Sequence, residues 1–327
     1  MKSRRCSLQL CALASALGIA ALWPAQAQSY PAKPVRLIIP FPPGGPMDIV
    51  GRMLSNGLSE AWGGVPMIAD NRAGAGGNIG TEQCAKAPPD GYTMCILAVS
   101  QAVSPAIYAR PGFDPVRDFA HVTLIAMLPS LLLVHPSLPV NNVKELIALA
   151  KAKPGVLSYS SGGSGTSSHM LMELLKLDGG VNLVHIPYKG QAAALTDQIS
   201  GRIDVIFSSI IAALPYVKAG RTRAIAVSTK VRFAQLPNVP TVDESGIKGF
   251  DGGSWAGVGM PAGASRDTIN KVNADVTKIL KSPGMKEKIL AMGGIPVIDS
   301  PIEFTTFMKS EVDKWARVVK AAGIQAE

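Results

Sequence analysis

Histidine is scarce in this chain, at four in 327 residues, and aromatic side chains make up only 6%. The four histidines are His121, His135, His169 and His185. None stands at ligand spacing from another His, a Cys or a carboxylate, so no metal site is expected. Few aromatics disfavour a sugar-stacking cleft. No Walker loop, paired carboxylates or catalytic Cys–His pair is present. Gly74-x-Gly76-x-x-x-Gly80 departs from the dinucleotide spacing, and no acidic residue follows where a ribose partner is needed. Gly162-Gly163-Ser164-Gly165-Thr166 does not fit a nucleophile elbow. Gly252-x-Ser254-x-Ala256 is only a loose version of one. The inventory points to binding without catalysis and without cofactor.

Long apolar runs are also missing, with one exception at the N-terminus. Lys2, Arg4 and Arg5 precede an apolar segment from Leu8 to Trp23, and Ala25-Gln26-Ala27 is an A-x-A site. This order describes a secretory signal peptide over residues 1–27, cleaved after Ala27. The apolar segment is shorter than the roughly 20 residues a membrane helix needs. Without Lys2, Arg4 and Arg5 the formal charge falls from +9 to +6. The remaining Lys and Arg are scattered, so no nucleic-acid surface is indicated; a positive field favours small anions. Cys6 and Cys11 lie in the signal segment. Cys84 and Cys95 remain, either as a disulfide suited to an exported protein or as two separately buried thiols.

What the chain does have is a repeated device: a β-branched strand, a loop of small residues, then an amphipathic helix. Val35, Ile38 and Ile39 lead into Pro40-Phe41-Pro42-Pro43-Gly44-Gly45-Pro46, followed by Met47, Val50, Leu54 and Leu58 at helical spacing. Such a helix start presents backbone N–H groups and a partial positive charge, and holds an anion without Arg or Lys. Asp70 to Gly80 repeats the device after a strand at Val65–Ala69. Ser160 to His169 repeats it with hydroxyls, which suit carboxylate oxygens. Strands predicted over 92–99 and 205–207 end in Ser100-Gln101 and Ser208-Ser209, where α/β proteins bind ligands. Tyr188 closes another strand and is read either as a ligand contact or as packing. Three helices, begun at Ser265, Ser282-Pro283 and Ser300-Pro301, end the chain and carry no chemistry.

Strand–helix alternation occurs in two blocks with no Gly/Ser linker between them. About 300 mature residues exceed one ordinary core, so two lobes are expected: 28–124 with 229–327, and 125–228.

Six ordered motifs then give a resemblance over essentially the whole mature chain. They are Pro40 to Asp48, Asn71 to Gly80, Pro89-Asp90-Gly91-Tyr92, Gly165-Thr166-x-x-His169, Pro187-Tyr188-Lys189-Gly190 and Leu236 to Thr241. The chain resembles the Bug-type solute receptors of tripartite tricarboxylate transporters. The resemblance implies a two-lobed type II periplasmic binding protein fold (a Venus flytrap), each lobe an α/β mixed sheet flanked by helices. It implies a periplasmic receptor, acting as a monomer, for a small carboxylate: a di- or tricarboxylate, an acidic amino acid or an aromatic acid. Its partners are the transporter membrane subunits. By position, Gly44, Gly45 and Asp48 match the first family loop, Gly76 and Gly77 the second, and Ser161, Gly165, Thr166 and His169 the third, with Ser208 beside it. Pro43, Ser100, Ser167 and Tyr188 complete the candidate ligand-binding set. Gln191-Ala192-Ala193 and Ala256 depart from the family pattern, which leaves the ligand open. A ligand sensor presenting the bound acid to a membrane kinase, and a serine hydrolase, are the alternatives.

Overall fold

The computed structural model describes residues 30–325 except Met292; the signal segment, with Cys6 and Cys11, lies outside the described residues. The chain begins with β1 (Val35–Ile39), α1 (Pro46–Ala61), β2 (Met67–Asn71), α2 (Asn78–Ala85), β3 (Thr93–Leu97), α3 (Val99–Ile107) and β4 (Phe119–Leu128). It continues with β5 (Ser130–Val134), α4 (Val143–Ala152), β6 (Ser158–Ser161), α5 (Ser167–Gly179), β7 (Val184–Pro187), α6 (Gln191–Ile199), β8 (Val205–Ser209), α7 (Ile210–Lys218) and β9 (Arg223–Val227). It returns through β10 (Ser254–Pro261), α8 (Arg266–Lys281), α9 (Pro283–Ala291), β11 (Ile295–Pro296) and α10 (Pro301–Ala322).

Two mixed sheets result. The first has the order β11-β4-β10-β3-β1-β2 and the second β7-β6-β8-β5-β9. In the first, β1 is parallel to β2 and β3, while β10 runs antiparallel to β3 and β4. In the second, β6 is parallel to β7 and β8, and β5 is antiparallel to β8 and β9. Strands β5 and β8 are buried at every position. Their unbroken apolar runs suit strands covered on both faces rather than a half-solvated sheet. The architecture is the two-lobed α/β fold expected from the sequence.

One residue, Pro129, separates β4 in the first sheet from β5 in the second. Proline cannot donate to a ladder, and the chain changes sheets there. It comes back through 228–253. The two passages are tied together: Ser228 N–H donates to Ser130 O at 2.9 Å, and Ser130 N–H donates to Ser228 Oγ at 3.0 Å. Helix α10 packs on α3 beside the first sheet and on α5 beside the second. It is anchored by Glu311, whose buried carboxylate accepts from Trp255 Nε1 and Trp315 Nε1, both at 2.9 Å. Two charge-assisted bonds compensate the burial of that carboxylate. Cys84 on α2 and Cys95 on β3 are joined as a disulfide, with Cα atoms 6.1 Å apart.

Ser100 departs from expectation in one respect. It does not end a strand. Strand β3 stops at Leu97, and Ser100 lies in the first turn of α3. The apolar run through Val99 hides this boundary, because short buried strands and helices share it.

Removing the Ser228 hydroxyl leaves the buried Ser130 N–H without an acceptor. Ser228→Ala is expected to cost about 1–3 kcal/mol, read as a lower urea midpoint with unchanged slope.

Candidate ligand cavity

A cavity of about 250 Å³ lies where the loops of the two sheets meet. Its walls come from the β1–α1 loop (Phe41, Pro42, Pro43, Gly45), the start of α3 (Ala98, Val99, Ser100), the sheet change (Ser130) and the start of β10 (Ser254). The second sheet supplies the β6–α5 loop (Gly162, Thr166, Ser167), the β7–α6 turn (Lys189 to Ala193) and the end of β8 (Phe207, Ser209).

Five helices start on this cavity. Their N-cap residues, Gly45 for α1, Ala98 for α3, Thr166 for α5, Gly190 for α6 and Ser209 for α7, all line it, and none makes a side-chain cap bond. Three helices that start elsewhere have a side-chain cap, although α2, whose N-cap Gly77 lies off the cavity, has none. Asn142, Ser265 and Ser300 each accept a bond from the backbone N–H three residues on. The first N–H groups of any helix have no intrahelical acceptor. Two of the five starts offer less than a full set, because α1 begins with Pro46, which has no N–H, and the Ile210 N–H of α7 donates to Pro129 O at 3.2 Å; the helix dipoles favour an anion at the others.

Two buried hydroxyls reinforce the point. Ser100 Oγ and Ser209 Oγ have no hydrogen-bond partner, and their residues are 5% and 7% exposed. One stands on each side of the cavity. Buried polar atoms are nearly always paired, so both hydroxyls are available to hydrogen-bond a ligand. Among the described residues lining the cavity, Lys189 is the one cation, and no Asp, Glu, Arg or His is present.

The remaining candidate residues stand behind the wall. Asp48 is saturated. Its carboxylate accepts from Gly44 N–H at 2.9 Å, from Arg52 Nε at 2.9 and 3.0 Å and from Asn71 Nδ2 at 2.9 Å. Burial pushes its pKa up, but Arg52, the Gly44 N–H and Asn71 outweigh that and hold it below the usual range. Asn71 also donates to Phe41 O at 3.0 Å, so this network fixes the loop that presents Pro43 and Gly45. Gly76 and Gly77 lie off the cavity. A Cβ on Gly76 would stand 2.8 Å from Ser164 O, across from the second sheet's loop, and one on Gly77 3.4 Å from Ser100 Oγ. Gln101 fixes the start of α3 by accepting from Ala98 N–H at 2.7 Å and donating to Thr81 Oγ1 at 2.9 Å.

The second sheet's loop is held by a buried aromatic stack. His169 and His185 stack at 4.2 Å, and Tyr159 stacks on His185 at 4.7 Å. His169 Nδ1 accepts from Gly165 N–H at 3.1 Å, and His185 Nε2 lies 2.6 Å from Ser161 Oγ. Tyr159 donates to Glu173, which also accepts from Lys176 at 2.7 Å. Burial lowers His169 to about 4; burial, with His169 nearby, lowers His185 to about 3. Tyr188 turns away and donates to Asp197 at 2.7 Å. Ser208 lies within β8, off the cavity, with only a 3.5 Å contact to Ser209 O.

The structure thus brings Pro43, Gly45, Ser100, Thr166 and Ser167 to the cavity. It places Gly44, Asp48, Gly76, Gly77, Ser161, Gly165, His169, Tyr188 and Ser208 behind it or beside it. Ser209, Lys189, Gln191, Ser130 and Ser254 line it although they were outside the candidate ligand-binding set. Ser209 was within reach of the sequence, since alternate strand residues face opposite ways and the choice lay between two adjacent serines.

The family described as tripartite tricarboxylate transporter family receptor matches residues 50–324. This chain belongs to it. BugT of Bordetella pertussis is 34% identical over 308 residues, which span 94% of each chain. Among solved structures, Rpa4515 of R. palustris, determined with adipate, superposes with a TM-score of 0.87 at 35% identity, over 91% of this chain and 100% of that one. The periplasmic binding protein BugD gives 0.85 at 32% identity, over 91% and 100%.

The stack is expected to make the fold acid-sensitive. An unfolded histidine titrates near 6.5. Both stacked rings are held neutral well below that when folded, so the unfolded chain binds more protons at acid pH. Stability is expected to be full above about pH 6.5 and to fall progressively towards pH 3. Thermal midpoints at pH 7 and 4.5 check this, and His169→Gln should shrink the difference.

Proposed function

We propose that this receptor is a periplasmic protein, exported by cleavage after Ala27, that captures a small carboxylate in the cavity and delivers it to transporter membrane subunits. It acts as a monomer and without catalysis. The lobes of this reading are 28–124 with 229–327, and 125–228, and they close on the ligand by a hinge.

The observation that carries the reading is the convergence of five uncapped helix starts on one cavity with two unpartnered hydroxyls. A carboxylate has two oxygens and about four lone-pair sites, and accepts N–H and O–H donors from several directions. Backbone donors do this without a buried Arg and its desolvation cost. The adipate in Rpa4515 supports the ligand class. The non-catalytic reading is supported by the one pair that imitates a nucleophile and its base. Ser161 Oγ is 2.6 Å from His185 Nε2, but Ser161 is fully buried, exchanges bonds with Gly163 and does not line the cavity.

The test is thermal unfolding of the mature protein, refolded free of co-purified ligand, against mono-, di-, tri- and aromatic carboxylates. At least one acid should raise the midpoint in a concentration-dependent way, and its amide should not. No shift across the panel overturns the reading. Ser209→Ala is expected to weaken the acid that binds by about 1.5 kcal/mol, roughly tenfold in Kd, by calorimetry. Gly76→Ala tests closure. Its φ of +65° strains any Cβ, and the added atom meets Ser164 O at 2.8 Å. The φ strain is common to open and closed forms, so the approach to Ser164 O is what should weaken binding, with small-angle scattering showing a more open form in the presence of the acid.

A further inference from the structure

Among the polar side chains lining the cavity, Lys189 donates and the Ser and Thr hydroxyls are able to donate. One side chain adds an acceptor that cannot donate. Gln191, the first residue of α6, lines the cavity, and its Nε2 donates to Phe207 O at 3.3 Å. A carbonyl only accepts, so this bond fixes which way the amide faces. Oε1 is thereby the free end. It has no donor among the described residues, and it stands 3.5 Å from where a Cβ on Gly162 would be. Gly162 and Phe207 line the same cavity. The chain has placed one acceptor among a set of donors.

An acceptor in that position repels a carboxylate oxygen and rewards a donor on the ligand. The donor is a hydroxyl or an ammonium. An ammonium needs a counter-charge. No acidic residue lines the cavity among those described, and Asp48 behind it is saturated by Arg52, Asn71 and Gly44. Lys189 and the five helix starts add positive potential, which opposes a second cation. A hydroxyl meets no such objection. It donates to Gln191 Oε1 and can accept from Ser100 or Ser209, whose hydroxyls have no other partner.

Resting on the carboxylate reading, we propose that Gln191 is a specificity-determining residue and that the preferred ligand is a hydroxy acid. A site that hydrogen-bonds a ligand hydroxyl rejects the analogue lacking it, because the protein atom is then buried unpaired.

Calorimetry with three matched sets tests this: succinate, malate and aspartate; adipate, 2-hydroxyadipate and 2-aminoadipate; 3-phenylpropionate, phenyllactate and phenylalanine. In whichever set binds, the hydroxy acid should bind about tenfold tighter than the parent acid, and the amino acid weakest. Gln191→Met, of similar shape but without the acceptor, should bring the hydroxy-to-parent ratio to about one, whatever it does to either affinity alone. A wild-type preference for the parent or the amino acid overturns the proposal, and so does a ratio that survives in Gln191→Met. Binding by none of the nine acids overturns this proposal, and the carboxylate reading falls with it only if the wider panel, tricarboxylates included, also gives no shift. Equal binding within a set leaves that reading standing and removes this one.

Discussion

The pairing of β4 with β10 is the constraint on which the rest depends. Eight residue pairs, from Ser254 with Leu128 to Pro261 with Phe119, join strands that are more than 120 positions apart at their nearest. Between them the chain builds the whole second sheet. The first sheet is therefore completed by a strand that follows the whole second sheet in the chain, and the two passages run side by side. Ser130 and Ser228 tie those passages at the point where they cross. With that tie in place, the ends of β3, β6, β7 and β8 and the loop after β1 all open towards one space. The cavity is a by-product of sheet topology before it is a set of side chains.

A division of labour follows. The wall is made mostly of backbone, small residues and proline. The strong interactions sit one layer back: Asp48 with Arg52 and Asn71, Gln101 with Thr81, and the Tyr159, His185 and His169 stack. Each spends its polar capacity on holding a loop in shape. That leaves the wall's own N–H groups and hydroxyls unspent. Preorganisation of this kind lowers the ordering cost of binding.

Much of this was legible in the sequence, for local reasons. Glycine at Gly44, Gly76, Gly165 and Gly190 marks positive φ, and a β-branched run before it with helical spacing after it locates a helix start. The caps at Asn142, Ser265 and Ser300 are written in single residues. The cavity wall was less legible, because it depends on which way a side chain faces. Ser208 and Ser209 differ by one step along a strand, yet only Ser209 lines the cavity. Gln191 reads as a departure from pattern, and its meaning depends on the Phe207 carbonyl, sixteen residues away. Helix α3 was hidden within an apolar run that serves equally as strand.

The five bare helix starts have a consequence for how such receptors diversify. A backbone N–H is supplied by every residue except proline, so few substitutions at a helix start remove it. An acid group held in this way would keep its anchor through most point substitutions. Side chains around it, such as those at 191, 192 and 193, are then free to change without loss of basic function. A lineage built this way can wander from one organic acid to another by single steps, each intermediate still binding something.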